Sequence, residues 1–530
     1  MKIFKDPIYD YIYIDNDVCE KIIDTAYFQR LRRVEQTSMR CLYPSARHDR
    51  FIHSIGVYHL AKLAVRALSE NKIVYVDKDI NEKFNLPTLD EVASINFAFE
   101  MAALLHDICH APFSHTLEEY FQKIYFKDDN GEITHKYLVN ELFEVAGSIG
   151  VGSDERDFRK YKADCSYAEA SPHEIASCIF VLKYFVGVIN ELAKEESKKK
   201  NLNIKVDYLF LTRCILGALY SEASDSNDYK NCIIKLLNSS IDVDKLDYIV
   251  RDSSVSGFAN TVVDTNRLLN SLTFAVYREQ ENKLKICLAF KKTAVGVIQN
   301  VVTSRNALYT WIYSHHKVAY ESHIIKKAIK VIADKNGYNG GLFLSKYFTV
   351  DSIEKNLVCD DVIWNLFIEN RDENIVSEII DRGLQKKAVW KSFAEFQAYF
   401  NTFDAVLPVG DFSFEQMERV LKESDDELKE FKEYVNGFTC DGVNFEFEVV
   451  VNKTKLTHIG HNSVLIYIND KLYPFDTIFS DLYKKSEIPP FFYLYCRKNL
   501  KDILNKGDNK LKLVNYIKKY HKFRLMPNEK

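Results

Sequence analysis

The segment LLHDICHAPFSH, residues 104–115, sets three histidines and an aspartate into an otherwise apolar stretch. Together with the preceding DEVASINFAFEMAA it reads as a helix that is apolar around nearly its whole circumference, and so as a central one. Ionisable side chains are too costly to bury without partners. The chain must therefore fold so that other polar groups, or a cation, meet His106, Asp107, His110 and His115. On a helix His106 and Asp107 point about 100° apart, and His110 sits one turn beyond His106.

The remainder of the chain points to a mainly α fold. Only 18 Gly and 10 Pro among 530 residues interrupt sequences rich in Leu, Ile, Lys and Glu, which favours long helices over a turn-rich sandwich or barrel. IFKDPIYDYIYID alternates apolar and polar residues around a D-P turn and predicts a small N-terminal β element. DNDVCEKIIDTAYFQRLRRVEQ reads as one helix with polar capping residues at its start. FIHSIGVYHLAKLAVRALSE is another, with His53, Val57, Leu60, Ala61 and Ala64 along one face. Residues 126–170 are polar and irregular, as in an insertion reaching from about 119 to 170. Helical patterns resume in SPHEIASCIFVLKYFVGVINELAKEE, in IDVDKLDYIVRDS and near residues 291–334. The break NGYNGG, 336–341, divides a helical core, 1–335, from a helical region, 336–440, and a strand-rich and basic segment, 441–530. In that last segment N-D marks a turn, so the extension is expected to be α+β. No internal repeat and no glycine-rich phosphate loop is visible.

A net charge of −4 creates no field that would draw nucleic acid or an anionic membrane to the whole protein. Eleven scattered cysteines without a C-x-x-C pair argue against a disulfide framework and fit a reducing compartment. Neither a signal-like N-terminal run nor an uncharged 18-residue apolar segment is seen, so the expectation is a cytoplasmic protein with no membrane partner.

Imidazole and carboxylate together suit a divalent ion such as Mn, Fe, Ni or Zn. Two further segments offer companions: HDRFIHSIGV carries His53, and IDVDKLDYIVRD carries Asp244, with Tyr248 and Asp252 on roughly the same helix face. A divalent cation would answer the burial problem of His106, Asp107 and Asp244 together.

In this order, the segments DTAYFQRLRRVEQ, YPSARHDRFIHSIGV, LLHDICHAPFSH, SPHEIAS and IDVDKLDYIVRDS resemble the HD-domain phosphohydrolases, in their deoxynucleoside triphosphate triphosphohydrolase branch. The resemblance runs to about residue 395 and weakens after 335. It implies an HD-domain helical core in which His53, His106, Asp107 and Asp244 bind a divalent metal, with Mg also compatible. It implies attack of an activated water on the α-phosphorus, releasing deoxynucleoside and inorganic triphosphate. His110 and His115 match histidines near the α-phosphate, one of them able to protonate the leaving 5′ oxygen. A third such histidine matches His173, which is followed by Glu174; His135 competes on spacing but lacks the glutamate. Arg50, Lys245 and Arg305 match phosphate-contacting positions. Gln36, Tyr248, Asp252 and Tyr313 match the deoxyribose site. Thr37 and Ser38 replace a usual Leu-Gly, and Tyr309 stands where histidine is common, so base preference is left open. Lys2, Asp24, Gln29 and Arg32 match a pocket for an activating guanine nucleotide or dNTP between subunits, implying a homo-oligomer.

Alternative functions follow from the same residues. An HD-type nucleotidase or phosphodiesterase would use the same metal on another phosphoester. A nucleic-acid-binding protein would use the last 34 residues, which hold 11 Lys or Arg against 3 Asp or Glu, with aromatics interleaved in NYIKKYHKFRL. The same segment also reads as an amphipathic helix packed on the protein. His458 and His461 in THIGHN suggest either a second metal site or two polar loop histidines.

Overall fold

The computed structural model describes residues 1–76, 84–128, 130–149, 155–258, 262–279, 283–337, 340–401, 412–422, 425–452, 463–478 and 489–523. His458 and His461 lie outside the described residues. The fold is mainly α with several small sheets. The chain divides into two units that are not contiguous in sequence: 1–306, 330–366 and 457–484 in the first, 307–329, 367–456 and 485–530 in the second. Residues 441–530 thus contribute to both.

The first unit begins with the expected hairpin, β1 (Lys2–Asp6) paired antiparallel with β2 (Asp10–Ile14). Its turn is held by Asp6, whose Oδ1 accepts from the amides of Ile8 (2.8 Å) and Tyr9 (3.0 Å). The following segment is not one helix but a chain of short turns spanning Asn16–Val18, Cys19–Ile23, Ala26–Gln29 and Arg30–Arg33. Thr25 makes the break, because its Oγ1 accepts from the amide of Phe28 and donates to the carbonyl of Ile22, restarting the helix.

Helix α1 (Arg50–Glu70) is capped by Asp49 and buries His53, Val57, Leu60, Ala61 and Ala64. The short strand β3 (Val74–Tyr75) leads toward α2 (Leu89–Leu105), which starts in a capping box of Thr88 and Glu91. This helix ends one residue before His106, so the expectation that His106, Asp107 and His110 lie on helical turns does not hold. They occupy tight turns in which Ile108 N donates to Leu105 O (3.1 Å) and His110 N to Asp107 O (2.9 Å). Pro112 has no amide to continue a helix, and Phe113 and Ser114 adopt φ values of 55° and 51°.

The expected irregular insertion is instead a hairpin of β4 (Lys123–Lys127) and β5 (Ile133–Tyr137) followed by α3 (Leu138–Ser148) and α4 (Glu155–Tyr167). Its polar composition conceals these elements because each helix buries only a narrow stripe, such as Leu138, Leu142 and Ala146.

The long helix α5 (Pro172–Lys200) contains a wider π turn at Val181–Phe185. By length and composition it is apolar enough to cross a membrane, although Glu174, Lys183 and Glu191 leave no uncharged 18-residue run in it. It carries buried His173 at its start, and its Lys183 donates to Glu141 (2.6 Å), which fits a core helix. Next come α6 (Tyr208–Leu216), α7 (Asp225–Ile234) and α8 (Val243–Ser256), the last capped by Asp242. Strands β6 (Leu272–Arg278) and β7 (Leu284–Lys291) precede α9 (Val295–Leu308). With β8 (Leu465–Ile468) and β9 (Lys471–Pro474) they form a five-stranded sheet in the order β9-β8-β7-β6-β3. Asn469 and Asp470, both at positive φ (48° and 62°), make the tight β8–β9 turn that the N-D pair predicts.

The second unit is built on a three-stranded antiparallel sheet of Glu448–Asn452, Phe491–Cys496 and Lys387–Ala388. Its basic C-terminal helix, Asn509–Lys518, buries Leu513, Val514 and Ile517. The ring of Tyr516 stacks on Tyr434 at 4.6 Å, and Tyr520 and Phe523 are buried. The interleaved aromatics of this segment are core residues.

Within the first unit α1 crosses α8 at Gly56, where an added Cβ would lie 2.0 Å from Asp247 Oδ1 and 2.5 Å from Arg251 Nη2. In Gly56→Ala the gain in helix propensity, about 1 kcal/mol, is outweighed by overpacking against two buried ionic groups, about 3 kcal/mol. The variant is expected to unfold at lower denaturant concentration than wild type in a urea titration.

Candidate metal centre and histidine cluster

Three elements of the first unit converge on one point. Helix α1 brings His53, the turn after α2 brings His106 and Asp107, and the first turn of α8 brings Asp244. The ligand atoms of His53, His106 and Asp244 all lie within 4.8 Å of one another. His53 Nε2 is 2.9 Å from Asp244 Oδ1, without the alignment of a hydrogen bond, and His106 Nε2 is 3.7 Å from the same oxygen. Asp107 stands beside them, its carboxylate 3.7 Å from His53 Nε2 and 3.6 Å from His106 Nε2. The four expected metal ligands are therefore together.

The opposite ring nitrogens are occupied. His53 Nδ1 is 2.8 Å from Asp247 Oδ2, and His106 Nδ1 is 2.8 Å from the carbonyl of Ala103. Both acceptors select the tautomer protonated at Nδ1, which directs the Nε2 lone pairs at Asp244. Buried lone pairs facing a carboxylate need a proton or a cation between them. A divalent metal fits this donor set of two imidazoles and two carboxylates. Burial opposes a charge on His53, but Asp244 and Asp247 outweigh it and push its pKa up to about 9. Burial likewise opposes ionisation of Asp107, yet Arg50 and the surrounding histidines hold it well below the usual carboxylate range.

Two groups build the turn that carries these residues. The buried Arg30 donates to the carbonyls of Ile108 (2.9 Å), His110 (3.0 Å) and Val358 (2.6 Å). The carboxylate of Asp360 accepts from the amides of Phe113 (2.7 Å) and Glu35 (2.9 Å), tying down the strained backbone.

A second group, His110, His115 and His173, also has its ring nitrogens within 4.8 Å of one another. His110 and His173 stack at 4.3 Å, and His173 Nε2 lies 3.6 Å from Asp107 Oδ1. His135 is on exposed β5 between Tyr125 and Tyr137, so His173 and not His135 joins the cluster. Glu118 links two of the three, at 2.8 Å from His115 Nδ1 and 2.6 Å from His173 Nδ1. Burial opposes a charge on His173, but Glu118 and Asp107 raise its pKa to about 9. Burial, with Arg50 and the neighbouring histidines, pushes His110 well below its ordinary value. One imidazole of the stacked pair is thus cationic and the other neutral.

The cationic positions fare differently. Arg50 is buried and committed, donating to Asp107 Oδ2 (2.7 Å), Ser114 Oγ (3.0 Å) and the carbonyl of Gln36 (3.0 Å). Lys245 reaches Asp242 (2.6 Å) beside the metal group. Arg305 donates from Nε to the Tyr248 hydroxyl (2.8 Å) and lies near enough to Lys245 to oppose its charge. Asp252 is 2.6 Å from His48 Nε2, and the buried Gln36 Oε1 has no hydrogen-bond partner among the described residues. Tyr313 belongs to the second unit, where its ring meets Tyr309 edge-on at 5.0 Å. At the surface Lys2 pairs with Asp24 (2.8 Å), while Arg32 donates to Gln29 (2.9 Å) and covers the Phe51 ring at 3.6 Å.

Sequence reasoning missed Glu118, Asp247 and His48. Spacing held a signal for two of them: Glu118 follows His115 by three residues, and Asp247 precedes Arg251 by four on a helix. His48 had none, because its partner Asp252 is 204 residues away.

Residues 50–149 match the HD domain family. Among curated relatives, the deoxynucleoside triphosphate triphosphohydrolase SAMHD1 of Gallus gallus is 26% identical over 409 residues, covering 75% of this chain and 56% of the relative. An uncharacterized protein of Methanocaldococcus jannaschii is 28% identical over 338 residues, covering 63% of this chain and 51% of the relative. The chain thus spans about half the length of these two relatives. Among solved structures, a phosphohydrolase from Bacteroides thetaiotaomicron superimposes with a TM-score of 0.52 at 18% identity, covering 94% of this chain and 100% of that one. A hypothetical protein from Aquifex aeolicus does so with a TM-score of 0.55, also at 18% identity, over 96% and 99% of the two chains.

If the converging lone pairs hold a cation, metal must displace the proton that His53 retains up to about 9. Mn²⁺ affinity of metal-stripped protein is therefore expected to rise with pH below that value, by about tenfold per unit for one displaced proton. Calorimetric titration at several pH values checks this; a flat profile contradicts it. His106→Ala should abolish the binding.

Proposed function

We propose that this chain, whose residues 50–149 match the HD domain family, is a phosphohydrolase that converts deoxynucleoside triphosphates to deoxynucleoside and inorganic triphosphate in a metal-dependent reaction. The observation that carries this reading is the pairing of two groups around Asp107: a cation-ready set of His53, His106 and Asp244, and a histidine set of His110, His115 and His173. A bound divalent ion supplies Lewis acidity there for a phosphate oxygen and for water. His173, kept as imidazolium by Glu118, is the proton donor to the leaving 5′ oxygen. Neutral His110 and solvent-facing His115, 63% exposed, bind the phosphate that bears the scissile bond.

Lys245 and Arg305, which lie near each other, are assigned to the outer phosphates, as the resemblance implies. Arg50 acts through Asp107 and Ser114, to which its guanidinium is already bound. Gln36, Tyr248 and Asp252 are assigned to the sugar. The named activity of the avian relative supports the dNTP substrate class. Activation by a guanine nucleotide or dNTP at Lys2, Asp24, Gln29 and Arg32, within a homo-oligomer, belongs to the same proposal. None of the eleven cysteines is in a disulfide, which supports a cytoplasmic setting.

The direct test incubates the protein with Mn²⁺ or Mg²⁺ and each dNTP, with and without GTP, and resolves the products. Deoxynucleoside plus triphosphate is expected, and His106→Ala with Asp107→Ala should abolish it. Release of monophosphate would favour the nucleotidase or phosphodiesterase reading.

The protonation of His173 sets the pH profile. Imidazolium is present below its raised pKa, so kcat is expected to fall as pH rises through about 9. Glu118→Gln removes the carboxylate that holds the proton and should move this basic limb down by at least about one unit. An unmoved limb would exclude His173 as the acid.

A further inference from the structure

The group behind His53 extends to the N-terminal hairpin. Asp247 accepts from four donors at once. Its Oδ1 receives the Tyr9 hydroxyl (3.0 Å) and Arg251 Nη2 (2.8 Å), and its Oδ2 receives Arg251 Nε (2.8 Å) and His53 Nδ1 (2.8 Å). Arg251 is in turn shared, because its Nη1 donates to Asp6 Oδ2 at 2.9 Å. Asp6, Arg251, Asp247 and His53 are each no more than 2% exposed. Asp6 and Tyr9 both come from the β1–β2 turn, and the other oxygen of Asp6 holds that turn closed. The Tyr9 ring also packs against His59 of α1 at 5.2 Å, two turns beyond His53.

Two carboxylates and one guanidinium leave this buried cluster one negative charge in excess. The excess is directed at His53 Nδ1, where it favours the tautomer that turns Nε2 toward Asp244. Without the hairpin's two groups, Arg251 would lose one partner and Asp247 would lose one of the two donors on its Oδ1. The carboxylate could then rotate, and the imidazole with it.

We propose that the N-terminal hairpin is part of the metal-binding apparatus, with Asp6 and Tyr9 acting as positioning residues that fix the Asp247–Arg251 pair and, through it, the ring orientation and tautomer of His53. The proposal rests on the metal-centre reading above. Asp6 and Tyr9 lie in sequence far from every metal-ligand motif, and neither touches the ligand atoms themselves.

The test measures Mn²⁺ affinity of the metal-stripped full chain by calorimetry, with the unfolding midpoint of the stripped protein as a control. Asp247→Asn puts an amide donor against a site that meets only donors, so affinity should fall about 10- to 100-fold. Tyr9→Phe and Asp6→Asn should each weaken it about 3- to 10-fold. If they act through Asp247, Tyr9→Phe should cost nothing further in the Asp247→Asn background. A Tyr9→Phe affinity within about twofold of wild type, or an equal loss in both backgrounds, would overturn the proposal while leaving the metal reading intact. Wild-type protein that takes up no Mn²⁺ would overturn both. Tyr9→Phe keeps the ring and its packing, so the comparison survives even where Asp6→Asn fails to fold.

Discussion

Lone pairs of two buried imidazoles and two carboxylates converge on one volume, and most of the first unit exists to keep them there. Left alone, such groups repel one another and resist desolvation. The protein does not pair His53 or His106 with the carboxylates through Nε2 in well-aligned hydrogen bonds. It holds three of the four from outside the set, through Asp247 on His53, the Ala103 carbonyl on His106 and Arg50 on Asp107. On the two histidines the backing contact takes Nδ1, so Nε2 is left for a cation.

Asp107 is where the two chemical groups meet. It lies within 4 Å of His53, His106 and His173 while bound to Arg50, so one carboxylate feels both histidine groups. The stacked His110 and His173 differ in charge because only His173 has a carboxylate behind it. A single glutamate, Glu118, therefore sets His115 and His173 apart from the chemically identical His110.

The turn that carries HDICH is costly in backbone terms, with two consecutive residues at positive φ after a proline. Arg30 and Asp360 offset that cost by satisfying its carbonyls and amides from segments distant in the chain. Precision at the site comes from these contacts, since a loop of this kind has no ladder of its own to hold it.

Much of this was legible in residues 104–115 alone. An apolar helix cannot end in His106, Asp107, His110 and His115 unless something charged meets them, and composition and periodicity already made the setting helical. The candidate ligands His53 and Asp244 were legible through the family resemblance, and the hairpin at residues 2–14 through its alternation and turn chemistry, which are local. What only the tertiary structure decided was everything that depends on distance across the chain. The end of the helix at Leu105, the choice of His173 over His135, and the commitment of Arg50 to Asp107 are of this kind. So are the service of Glu118 and Asp247 behind the histidines and the attachment of β8 and β9 to a sheet begun nearly 400 residues earlier. The physical reason is that sequence records which groups need a partner, whereas the partner itself is selected by packing, which brings together residues that no local pattern connects.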